Sequence, residues 1–357
     1  MVFRRIVLLV TAVRLVAEVV GLISIRAHGQ PASQWLEMWN RWDAPHYLRI
    51  VQVGYRPHTV PGDDPLFIVF FPFFPLAVKL ASFVLRDLVL SGLVVSYLSS
   101  IGAGWFLYRL SLLDNQHDEA WRAVLLLFAF PTAYFMIAPY TEALFLFAIV
   151  ASMYAARTNR WPQAGLAGAL ATGTRVAGLA LFPALLVEAW PRLRRFAWIA
   201  VAGIGVAVFL TINLVVHHDM FWFLHIERTH WSQHAVAPWQ TVIDGIGDLR
   251  HGGWDDPTRR LILVSRLVAY AFGVLVLAVG YKVLRLADNV YAWAGFVLIV
   301  STSWLISLPR YLLALYPIFL IGARWTRKLP VLALVLAVFI ALQVWFTWWY
   351  AAGTWTF

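Results

Sequence analysis

Several apolar runs in this chain reach the roughly 18–20 residues needed to cross a hydrocarbon core. In lipid the backbone must satisfy its own hydrogen bonds, so runs of this length and number predict an all-α polytopic membrane protein. Hydrophobic residues make up 61% of the chain and charged ones 13%, which excludes a soluble globular domain. Apolar segments run at about 5–25, 66–85, 88–108, 122–138, 142–157, 162–190, 196–216, 261–283, 289–308, 311–323 and 331–350, so about 11 transmembrane segments are expected.

The basic residues fix a topology. The net charge of +10 is spread over short hydrophilic stretches: Arg4 and Arg5; Arg109 and Arg122; Arg157 and Arg160; Arg192, Arg194 and Arg195; Lys282 and Arg285; Arg324, Arg327 and Lys328. That distribution follows the positive-inside rule and argues against nucleic-acid binding. With these connections on the cytoplasmic side, 66–85 does not cross fully. Pro72, Pro75 and Lys79 suit a kinked, re-entrant element there. Segment 162–190 becomes two short helices meeting near Arg175 on the outer side. The rival threading leaves Arg175 near the bilayer centre, at a cost of several kcal/mol. The first span carries Arg14 and Glu18, four apart, and no small-residue cleavage site follows it. It reads as a retained helix with an intrahelical ion pair. A single integral membrane domain over 1–357 is expected, with a first outer loop at 26–87 and a second at 217–260. No cysteine is present, so disulfides, thiolate metal sites and a cysteine nucleophile are excluded.

Long loops in compact proteins carry function, and both outer loops are polar and rich in histidine. In MWNRWDAPHYLRIVQVGY (Met38–Tyr55) the carboxylate of Asp43 has His46 and Tyr47 at i+3 and i+4, on one face of a helix. Trp39 and Trp42 flank it. A carboxylate beside tryptophans at the lip of a cavity is a candidate general base. The bland alternative is an amphipathic helix on the membrane surface, with Asp43 balanced by Arg41 or His46. Glu142, after Tyr140 and Thr141, is either a substrate contact or a helix-start acid favoured by the dipole. Arg175 and Arg310 are lone cations at breaks between apolar segments. Each suits bidentate phosphate binding, against snorkelling or packing at a helix end. His230 and His234 have the i, i+4 spacing of helical zinc sites, but no HExxH forms, so no metal cofactor is expected. There is no Gly-rich phosphate loop or nucleotide-binding domain, so any activated sugar donor is lipid-borne.

Several motifs together resemble one family. They are RWDAPHYLRIVQVGY (Arg41–Tyr55), FFPFFPL (Phe70–Leu76), FPTAYFMIAPYTEALFLF (Phe130–Phe147), WPQAGLAGALATGTRVAGL (Trp161–Leu179), Trp231 with Pro238-Trp239, and PRYLLALYP (Pro309–Pro317). In order and content the chain resembles the GPI mannosyltransferase II (PIG-V) family and its prokaryotic relatives, within the GT-C class of membrane glycosyltransferases. The resemblance implies transfer of mannose from a polyprenyl- or dolichyl-phosphate to a lipid-linked acceptor on the non-cytoplasmic face. It implies Asp43 as general base, with Trp42, His46, Tyr47, Tyr140, Glu142, Arg175 and Arg310 around the substrates. Partners are then the lipid-linked donor, a lipid or glycolipid acceptor and membrane lipids, with the site facing outside a prokaryotic cell membrane or the ER lumen. A lipid-glycan flippase and a noncatalytic scaffold subunit are the alternatives; the one-sided distribution of polar groups argues against the first.

Overall fold

A computed structural model describes residues 1–55, 65–250, 257–303 and 305–356. Within them the chain is helix and turn, with one isolated antiparallel bridge between Ala235 and Thr302. The first helix, α1 (Val2–Ala27), buries Ile6, Val10, Ala17, Gly21 and Ser24 at helical spacing. That seam packs on the last helix, α17 (Leu329–Ala352), while the apolar outer face stays exposed, as a lipid-facing helix requires. Between them come α2 (Asp43–Val53), α3 (Phe73–Leu85), α4 (Leu88–Ser111), α5 (His117–Ala129), α6 (Glu142–Arg157), α7 (Trp161–Thr172) and α8 (Leu181–Ala189). Then follow α9 (Phe196–Ala202), α10 (Ile204–His217), α11 (Trp222–Trp231), α12 (Gln240–Arg250), α13 (Pro257–Gly280), α14 (Leu286–Val300), α15 (Leu308–Tyr311) and α16 (Pro317–Trp325). Five helical stretches are long and apolar enough to span a bilayer: α1, α4, 193–217, 260–283 and α17.

The expected break in 162–190 is present: α7 ends at Thr172, a 3-10 turn covers Val176–Ala180, and α8 follows. Segment 66–85 is likewise broken, into a 3-10 turn at Pro65–Val69 and the 13-residue α3, about 20 Å long and too short to cross. Four other segments differ from continuous spans, among them 289–308, where α14 ends at Val300 and α15 starts only at Leu308. Helix α5 stops at Ala129, because the residue before Pro131 is driven from helical geometry. Segment 196–216 divides into α9 and α10 at Gly203. Segment 311–323 starts with the end of α15 and a 3-10 turn at Leu312–Ala314, and α-helix resumes at Pro317, whose missing N–H costs nothing at a helix start.

The break after α5 matters most. Residues 130–141 run as mostly buried chain with one 3-10 turn at Ala133–Met136, and two of their carbonyls accept from side chains of α4. Ser96 Oγ donates to Ala138 O at 2.7 Å and Ser100 Oγ to Met136 O at 2.8 Å. Thr132 Oγ1 donates to Pro309 O at 3.0 Å, tying this chain to α15. Non-helical backbone at membrane depth is tolerated where protein buries it in this way. It delivers Tyr140, Thr141 and Glu142 to the start of α6. The other end of α6 is held by ions: Arg157 pairs with Asp114 at 2.7 Å, beside Glu119 paired with Arg327 at 2.9 Å.

Candidate active site

The site begins in the loop after α1. Trp39 is fully buried; its Nε1 donates to Glu18 Oε2 at 3.0 Å, and its carbonyl accepts from Tyr350 of α17 at 3.0 Å. Arg14 pairs with Glu18 and lies over the Trp39 ring at 5.7 Å. The intrahelical pair read in the sequence thus also anchors the loop. Three residues on, Trp42 adopts φ +56°, ψ −106°, a conformation costly for a residue with a Cβ. That kink turns the chain directly into α2, with Asp43 as its first residue. The helix dipole favours a negative charge there.

Tyr140 fixes this corner from below. Its hydroxyl donates to Arg41 O at 2.7 Å and accepts from the Asp43 N–H at 3.3 Å, so both sides of the kink are tied to one buried phenol. Arg310, from α15, is buried between two carboxylates: Nη1 donates to Asp43 Oδ2 at 2.7 Å and Nε to Glu142 Oε1 at 2.5 Å. Its guanidinium carbon lies 4.6 Å from the Tyr140 ring centre and 4.7 Å from that of Phe135. Arg175 Nη1 donates to Thr141 Oγ1 at 2.8 Å and also to Glu142 Oε1, with Tyr311 beneath it at 5.0 Å. Arg175 sits there because Gly173 packs on Phe73, whose N–H donates to Gly173 O at 3.0 Å. A Cβ at 173 would stand 2.3 Å from the Phe73 ring.

Asp43, Arg175 and Arg310 border a cavity of about 500 Å³. Asp43, His46 and Tyr47 line it from α2 and Trp42 from the kink before that helix, together with Arg175 and Arg310, so the i, i+3, i+4 face points into one cavity. Tyr47 is buried; burial, and secondarily the Asp43 carboxylate, push its phenol above the ordinary range, so it is a neutral hydrogen-bonding group. His46 stacks on Phe70 at 5.2 Å, and Trp42 meets Trp355 edge-on at 4.8 Å.

Asp43 is paired with Arg310 at 2.7 Å. Tyr140 and Glu142 do not line the cavity: Tyr140 braces the backbone, and Glu142 is buried behind, joining the two arginines. The His230–His234 pair has no common helix, because α11 ends at Trp231 and Ser232 turns left-handed. His230 Nδ1 contacts Thr229 Oγ1, and His234 Nδ1 contacts Ser232 O and Ser303 Oγ. His58 and His251 of the loops lie outside the described residues. Sequence reasoning missed Trp355, Gln233 and Glu227, which also line the cavity. The one local signal for Glu227 in the sequence is its spacing of four from Trp231.

The fold is similar to that of a solved structure, ArnT from Cupriavidus metallidurans bound to undecaprenyl phosphate. The two superpose with a TM-score of 0.54 over 90% of this chain and 60% of that one, at 16% identity. The class is therefore the GT-C fold of membrane glycosyltransferases. Residues 15–190, which carry Asp43, Glu142 and Arg175, match the mannosyltransferase (PIG-V) family, and the chain is a relative of that family over this stretch. The GPI alpha-1,6-mannosyltransferase 2 proteins of Cricetulus griseus, Rattus norvegicus and Mus musculus are 34% identical over 152 residues, 39% of this chain. That matched stretch is 29% of those relatives' length.

Proposed function

We propose that this protein is an inverting mannosyltransferase that uses a polyprenyl-phosphate-linked donor and a lipid-linked acceptor on the non-cytoplasmic side of its membrane. The observation that carries the reading is a carboxylate and two guanidinium groups bordering one cavity, with both guanidiniums held by a buried carboxylate behind them. The PIG-V match supplies the sugar, and the undecaprenyl phosphate bound by ArnT supports a lipid phosphate.

The step balances with the residues at hand. Asp43 takes the proton of an acceptor hydroxyl as its oxygen attacks the anomeric carbon. The carbon–oxygen bond to phosphate breaks on the opposite face, and its electron pair leaves on the phosphate monoester. That leaving group needs no general acid, unlike the alcohol released in glycoside hydrolysis. Arg310 and Arg175 stabilise the growing phosphate charge, in a site where preorganised donors cost no reorganisation. The arriving phosphate competes with Asp43 for Arg310 Nη1, so donor binding unmasks the base. Glu142 holds both forks in place through that exchange.

The test is purified protein with radiolabelled polyprenyl-phosphate-mannose and a total membrane lipid extract. A labelled lipid product of inverted configuration supports the reading. Transfer of another hexose but not mannose would keep the fold and overturn the substrate.

A further inference from the structure

The transfer step leaves one cavity carboxylate without a role. Glu227, on α11, lines the cavity with Trp231, one helical turn on, and with Gln233 just past the helix end. Asp43 and Glu142 are both ion-paired to arginine, but Glu227 has no ion pair among the described residues. Burial alone raises its pKa, to about 7, with no neighbouring cation opposing it. The wall is firmly seated. Helix α11 packs on the 3-10 turn Pro65–Val69, and Trp231 meets Phe70 edge-on at 6.5 Å, the same ring on which His46 of α2 stacks. The segment after α11 is clamped to the turn after α14, with Val236 N–H donating to Ser301 O at 3.0 Å and Ser303 N–H to His234 O at 2.9 Å.

The cavity therefore has two chemically different walls. One presents guanidiniums. The other presents a carboxylate, an indole and a primary amide, which together match a hexose: hydroxyls donate to carboxylate and amide oxygens, and the C–H face of a pyranose packs on an aromatic ring. An anionic phosphate beside Glu227 is repelled, which directs the donor phosphate to the arginines.

We infer that Glu227, with Trp231 and Gln233, forms a subsite for a hydroxyl-rich acceptor headgroup, Glu227 accepting hydrogen bonds from its hydroxyls. The inference rests on the transferase reading above and adds the acceptor side to it. Glu227 is a binding and specificity residue here, not the base. Only its ionised form accepts through both oxygens, so acceptor affinity falls as pH drops through about 7. Other groups that face this cavity are Asp43, His46, Arg175 and Arg310; α11 itself carries His225, Arg228 and His230, the packed α10 carries His217, and the 3-10 turn has no titratable residue.

The experiment measures half-saturating concentrations in the radiolabel assay, varying the lipid extract and the labelled donor separately. At pH 8, Glu227→Gln raises the acceptor value about tenfold, the scale of one hydrogen bond to a charged group, and leaves the donor value unchanged. Glu227→Asp, which keeps the charge, recovers part of the loss. Between pH 8 and 6 the wild-type acceptor value climbs, the Glu227→Gln value stays flat, and His46→Gln keeps the slope. An unchanged acceptor value in Glu227→Gln, a rise in the donor value instead, or an undiminished pH slope overturns the assignment. Absence of any labelled product from the wild-type protein removes the transferase reading, and this inference with it.

Discussion

Asp43 Oδ2 and Arg310 Nη1 stand 2.7 Å apart although 267 positions separate them in the chain. One partner is about a third exposed to the cavity and the other almost fully buried. The exposed carboxylate can therefore exchange its partner, whereas the cation is fixed by Glu142 and by the rings of Tyr140 and Phe135. From that asymmetry come distinct expectations for each residue.

Removing the buried cation should damage the fold as well as the chemistry. Arg310→Met leaves Glu142 without one of its two arginines, and loss of one partner from a buried pair costs about 3–5 kcal/mol. Thermal unfolding in detergent should show a much lower midpoint and the transfer assay no product. Adding Glu142→Gln should restore part of the midpoint and none of the activity, because the two sites are coupled.

Tyr140→Phe should act on Asp43 through the backbone. It removes the hydroxyl that bridges Arg41 O and the Asp43 N–H, a loss of about 1–3 kcal/mol for buried groups left unpaired. The turnover number should fall while the half-saturating donor concentration changes little, since the phenol does not line the cavity. Steady-state kinetics on the folded variant check this split.

The pH dependence of stability follows from Glu227. Its folded pKa of about 7 exceeds the ordinary 4.5, so between those values the native state binds more protons than the unfolded state. This contribution is fully present below pH 4.5, is lost as pH rises to 7 and is flat above. Glu227→Gln removes the dependence, so its melting midpoint relative to wild type should rise steadily across that window. A constant difference between pH 4.5 and 8 would contradict the placement of an unpaired carboxylate in a desolvated wall.

Phosphate charge is held by arginines in this scheme, so a chelator should leave the transfer rate unchanged. Initial rates with and without EDTA, and after adding back magnesium or manganese, check it. A rate that falls with EDTA and returns with metal contradicts it.

What could be read from sequence was local or periodic. Apolar length gave the membrane helices, the prolines at 72 and 75 marked the broken segment before α3, and i, i+3, i+4 spacing put Asp43, His46 and Tyr47 on one face. The break at Pro131 was equally local but lay inside an apolar run whose composition suited a span. Long-range pairing left no local trace: nothing near Glu142 tells that its carboxylate faces two guanidiniums, or that Tyr140 reaches back to Arg41. Glu227 was hidden because its environment is made by the packing of α11 on a distant 3-10 turn. Asp43 looked desolvated from its tryptophan neighbours, and only the fold supplied the arginine.

The most direct measurement is the initial rate of mannose transfer by Asp43→Asn in the folded protein. The substitution keeps size and removes the proton acceptor, so the rate should drop by about 10²–10⁴-fold with the donor still bound. Turnover close to wild type would show that another group takes the acceptor proton.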